Sequence, residues 1–87
     1  MMRDDQIDVA AAMCLTDAVI QLVAKGGVPR TREGYERLVV KCMACWTECF
    51  PDSPLAMVAI AADRPESRCA VIRFHLADGR ESSDMTI

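Results

Sequence analysis

The chain has 87 residues, 52% of them apolar and 26% charged, with ten Lys and Arg against thirteen Asp and Glu and a net charge of −3. That composition is the one of ordinary soluble domains and excludes a disordered chain, and the length excludes a large multi-substrate enzyme and points to a single domain spanning 1–87. The mild acidity argues against a dominant electrostatic grip on nucleic acid, which needs Lys and Arg to neutralise phosphates.

A domain of this size buries only about 60–65% of the surface its unfolded chain exposes, so an oligomer or a partner adds to a thin stability margin. The start Met1-Met2-Arg3-Asp4-Asp5 is acidic where a secretory signal needs a basic segment and an apolar core. The longest apolar run, Leu55 to Ala62, falls far short of the about 20 residues that span a bilayer. Five Cys is an odd count that reads as reduced thiols and not as a disulfide framework. The expectation is a cytoplasmic protein with no membrane contact.

From Asp4 to Lys25 the residues are helix formers without Pro or Gly, and Lys25-Gly26-Gly27-Val28-Pro29 supplies a terminal cation, a Gly stop and a Pro beyond. Asp4, Asp5 and Asp8 lie at the end where the helix dipole favours anions, which explains them without a cation site. Its apolar arc, which includes Leu15, Ala18, Leu22, Ile20 and Met13, covers roughly 240°, more than one core face needs. A second helix begins after Thr31 as N-cap and ends before Pro51. It places Leu38, Cys42, Cys45, Cys49, Trp46, Met43 and Phe50 within an arc of about 160°.

The second half changes period. Arg68 to Ala77 alternates, with Ala70, Ile72, Phe74 and Leu76 on one face and Cys69, Val71, Arg73 and His75 on the other, the pattern of a half-buried strand. Asp78-Gly79 is a hairpin signal, so Arg80 to Ile87 is expected to be a polar edge strand. Residues 55–62 read as a third strand, because a lone hairpin is marginal, although Ser53 and Pro54 would also start a short helix. The expected fold is α+β, two N-terminal helices on an antiparallel β-meander (ααβββ), with αααββ and residues 54–63 helical as the alternative.

The segment Cys42-Met43-Ala44-Cys45-Trp46-Thr47-Glu48-Cys49 has a metal-like spacing, with His75 as the sole candidate nitrogen ligand. In a straight helix Cys42 and Cys49 are about 10.5 Å apart along the axis. Two sulfurs on one zinc are separated by no more than about 4.6 Å. Core packing therefore explains the cysteines better, and no metal or cofactor is expected; a zinc or thiol protein using Cys42, Cys45, Cys49 and His75 stays as the alternative. The glycines match no P-loop or dinucleotide fingerprint and no Ser sits in a nucleophile elbow, so no catalytic residue is assigned. Arg64, Arg68, Arg73 and Arg80 could form a nucleic-acid surface, but Asp63, Glu66, Asp78, Glu81 and Asp84 alternate with them and no aromatic is interleaved.

What remains is surplus apolar helix surface. With Leu15, Ala18, Val19 and Leu22 turned to the core, Val9, Met13, Ile20 and Ala24 are left on a flank of the first helix, and Met43, Trp46 and Phe50 sit at an edge of the second. Trp, Met and Phe are enriched where proteins meet proteins. Val9, Met13, Ile20, Met43, Trp46 and Phe50 are the candidate partner-binding residues. The expected function is a small non-enzymatic module that binds another protein or complex as a regulator or steric inhibitor, a homodimer built through the first helix. Inhibitors of host systems carried by phages and mobile elements, anti-CRISPR proteins among them, fall in the same compositional class.

Overall fold

The computed structural model describes residues 3–62 and 69–87, and has two helices followed by a three-stranded antiparallel sheet. Helix α1 (Asp4–Val23) starts where the Gln6 side-chain oxygen accepts the Arg3 backbone N–H at 3.2 Å. It stops at Gly26 and Gly27, both with positive φ, and the Gly27 N–H returns to the Leu22 carbonyl at 2.8 Å. Helix α2 (Arg32–Cys49) opens on the expected cap, the Thr31 hydroxyl accepting the Gly34 N–H at 3.2 Å. A Cβ at Gly34 would collide with the Pro29 carbonyl, so the α1–α2 turn closes only on glycine.

Strands β1 (Leu55–Ala61), β2 (Val71–Leu76) and β3 (Met85–Thr86) lie in the order β1-β2-β3. Residues 54–63 do not form the helix offered as an alternative: 55–61 are strand, and the Pro54 carbonyl accepts the Ala77 N–H at 2.9 Å, tying the entry of β1 to the end of β2. A bulge between Leu55 and Met57 turns Leu55, Val58 and Ile60 toward the core from an otherwise irregular apolar run. In β2 the alternation holds, with Ile72, Phe74 and Leu76 buried under the helices and Arg73 and His75 on the outer face.

The expected strand over 80–87 is shortened to Met85–Thr86. Beside Phe74 the Ser82 hydroxyl replaces a carbonyl as acceptor for the Phe74 N–H at 2.9 Å, and Ser83 is drawn toward α1. There the Asp8 carboxylate accepts the Ser83 backbone N–H at 2.7 Å and its hydroxyl at 2.9 Å, pinning the start of α1 to the end of the sheet. The core lies between the layers. Small residues, Ala11, Cys14 and Ala18 of α1 against Cys42 and Cys45 of α2, let the helices approach, with the Cys14 thiol donating to the Cys42 carbonyl at 3.2 Å. Trp46 fills the space beneath α2, its ring 5.7 Å from Phe74 and 4.8 Å from Phe50, and its Nε1 donates to the Ser53 carbonyl at 2.6 Å.

Candidate interaction surface

Helix α1 is fixed on its inner side and apolar on its outer one. Val9, Met13, Ile20 and Val23 are 61%, 66%, 62% and 61% exposed, while Ile7, Ala11, Cys14 and Ala18 on the opposite side are buried. With Thr16, the outer residues recur at steps of four, three, four and three, a single stripe about 21 Å long at the 1.5 Å rise per residue. The Thr16 hydroxyl donates to the Ala12 carbonyl at 2.8 Å, so its polar atom is occupied within the helix. A 3.5-residue apolar period is the one that meets a facing helix knob into hole. Asp17 borders the stripe but is engaged inward, accepting from Gln21 at 3.0 Å and from the Cys45 thiol at 3.6 Å.

Of the six residues expected to bind a partner, Val9, Met13 and Ile20 share this face. Met43 and Phe50 are half-buried against the core, and Trp46 is 0% exposed. Trp46 is corrected to the core: its ring is enclosed by Phe50 and Phe74 and its one donor is satisfied, so nothing of it is left to touch a partner. Val23, not among the expected partner-binding residues, also belongs to the stripe; its step of three from Ile20 was the available signal. Val40, 69% exposed, lies on α2 among charged neighbours and outside the stripe.

The cysteines do not converge on one point. Cys42 and Cys45 are buried toward α1, whereas Cys49, the last residue of α2, is exposed. The Cys42 thiol is pushed above its ordinary range, first by its hydrogen bond with Cys14 and then by burial. Cys45 is pushed up by burial first, then by Cys14 and Asp17. Thiols held neutral in this way are poor nucleophiles and poor metal ligands. His75 lies on the far face of the sheet, its Nδ1 3.1 Å from Glu81. Among the described residues no group of three or more His, Cys, Asp or Glu is placed to hold a metal ion.

Arg64 and Arg68 lie outside the described residues. Arg73 is held by Asp84 at 2.6 Å and Glu81 at 3.5 Å, and Arg80 by Asp78 at 2.8 Å, so these two guanidinium groups face carboxylates of their own chain. Over Asp5–Val23, α1 is long and apolar enough to cross a membrane by length and composition, and 33% of that window is buried in the fold. The chain matches no family model, no curated protein and no solved structure at a significant level. The class that can be stated is a small ααβββ protein of α+β type.

Proposed function

We propose that this is a small non-enzymatic protein-binding module that docks a partner protein or complex on the outward stripe of α1 and regulates or inhibits it by occupying its working surface. The observation that supports the reading is the stripe itself. Val9, Met13, Ile20 and Val23 stand exposed in one line on a helix whose opposite side is already fully used by the core. Grooves that accept an amphipathic helix read anchors three, four and seven residues apart, the spacings of Ile20–Val23, Val9–Met13 and Met13–Ile20.

A foreign partner and a second copy compete for the same stripe, so one set of measurements separates them. The protein is retrieved from its native lysate in wild-type, Met13→Glu and Ile20→Glu forms, and the free proteins are sedimented in parallel. A stoichiometric complex with wild type, lost in both folded variants, supports the proposal. A free dimer that both substitutions break would assign the stripe to self-association. Flotation with anionic vesicles, abolished by the same substitutions, would assign it to a membrane and overturn the reading.

A further inference from the structure

Three of the five cysteines meet in the layer between the helices, and they are not equivalent. Cys14 of α1 and Cys42 and Cys45 of α2 are all buried free thiols. The Cys45 thiol is engaged elsewhere, donating to the Asp17 carboxylate at 3.6 Å and accepting from the Gln21 amide at 3.8 Å. A bond between Cys42 and Cys45 would have to close within one helix, where Cβ atoms three residues apart are about 5–6 Å apart and a disulfide spans about 3.5–4.5 Å. Cys14 approaches Cys42 from the other helix. Its sulfur lies 3.2 Å from the Cys42 carbonyl oxygen, and it accepts a hydrogen bond from the Cys42 thiol.

That contact gives the two thiols different roles. Cys14 is 5% exposed and Cys42 0%, so a small reagent from solvent meets Cys14 first. The bond from Cys42 holds the Cys14 thiol below its ordinary range, against burial and the Asp17 charge, and the thiolate is the form that reacts with oxidants. Cys42 is pushed up first by that same bond. The largest obstacle to its ionisation is therefore removed once Cys14 is oxidised and carries no charge. A readily ionised thiol beside a second thiol that can resolve it is the arrangement of redox-sensing cysteines. Burial slows the first step and selects an oxidant as small as hydrogen peroxide.

We propose that Cys14 and Cys42 form an oxidation site, at which a peroxide makes a disulfide that fastens α1 to α2. The Cys14 thiolate attacks one oxygen of hydrogen peroxide, the O–O bond breaks, and the departing hydroxide takes up a proton and leaves as water. Cys14 is then a sulfenic acid. The Cys42 sulfur attacks it, the S–S bond forms as the S–O bond breaks, and the hydroxyl leaves with the Cys42 proton as a second water. The two thiols lose two electrons and the peroxide gains them. The bond ties residues 28 apart and closes the α1–α2 turn into a loop, which restricts the unfolded chain. The site shares no residue with the outward stripe of α1 and stands whatever becomes of that reading.

The intact reduced protein is exposed to hydrogen peroxide in native buffer, its remaining thiols are blocked with iodoacetamide in urea, and the tryptic peptides are read by mass spectrometry. The expected product is the peptide holding Cys14 joined to the one holding Cys42, with fragment ions placing the bond at Cys42 and not at Cys45 or Cys49, and it disappears on treatment with dithiothreitol. The oxidised monomer is expected to melt about 10 °C or more above the reduced one. Cys45→Ala keeps the bond. Cys42→Ala loses it and accumulates Cys14 sulfenic acid, trapped by dimedone. The wild-type map decides the question if either variant fails to fold. Oxidation confined to Cys49 or Cys69, with bonds between chains, overturns the proposal, as does a Cys14–Cys42 bond that forms only in urea. An oxidised protein that melts no higher than the reduced one overturns the fastening.

Discussion

The two helices lie side by side and are built on different rules. α2 is apolar on the side that meets α1 and the sheet, and its outer side carries Glu33, Glu36, Arg37 and Glu48. α1 has an inner side just as apolar, but outward it shows Val9, Met13, Ile20 and Val23. Folding explains α2 apart from the single exposed Val40, and only half of α1. The difference teaches that the outer face of α1 is apolar surface that this fold leaves uncovered, since a helix packed on one side needs only one apolar stripe.

The sharpest way to break the comparison is within α1 itself, by placing the same charge on its two sides. Ala18→Glu puts an unpaired carboxylate between the helices, at a position fully buried, and is expected to abolish folding as read by circular dichroism. Ile20→Glu, two residues on, is expected to leave the unfolding free energy from urea denaturation within about 0.5 kcal/mol of wild type while partner retention is lost. Equal unfolding by both would return the outer stripe to the core. For α2 the corresponding test is Trp46→Ala, expected to lower stability by about 3–5 kcal/mol in urea denaturation through loss of the packing against Phe50 and Phe74.

Smaller effects sharpen the way the helices are fastened. The Asp8 carboxyl is held below its ordinary range, first by the Ser83 backbone N–H and then by its hydroxyl. Its folded pKa lies below its unfolded one, so its contribution is complete above about pH 3.9 and is lost as the pH falls through the folded value. Asp8→Asn is therefore expected to flatten the acid limb of a stability–pH curve without removing it, because Asp78, held down first by the Arg80 backbone N–H, contributes in the same window. At native pH a thiol reagent is expected to label exposed Cys49 at once and Cys42 and Cys45 only as the protein unfolds. Rapid labelling of Cys42 would contradict its place between the helices.

Much of this arrangement is legible in the sequence because it is local. The Thr31 cap, the glycine stop at 26 and 27 and the alternation over 70–76 are set by neighbours within a few residues, and the structure follows them. The excess apolar arc of α1 is legible for the same reason, and it led to Val9, Met13 and Ile20. What could not be read depends on distant partners. Trp46 sits on the same helical arc as Met43, and only the position of Phe74 decides that it is enclosed. The bulge at the start of β1 is set by its pairing with β2, and the loss of strand over 80–84 by two serines whose partners are Phe74 and Asp8. Cys49 shares the arc of the buried cysteines, but it closes the last turn of α2 and is left exposed.

The bond between Asp8 and Ser83 joins residues 75 apart in the chain. During synthesis at about 5–20 residues per second, α1 leaves the ribosome several seconds before its fastening partner exists. Throughout that interval both of its sides are apolar and neither is covered by the sheet. The nascent chain is thus most exposed to holdases and to premature association at its first helix, and the speed of translation across the strands sets how long that exposure lasts.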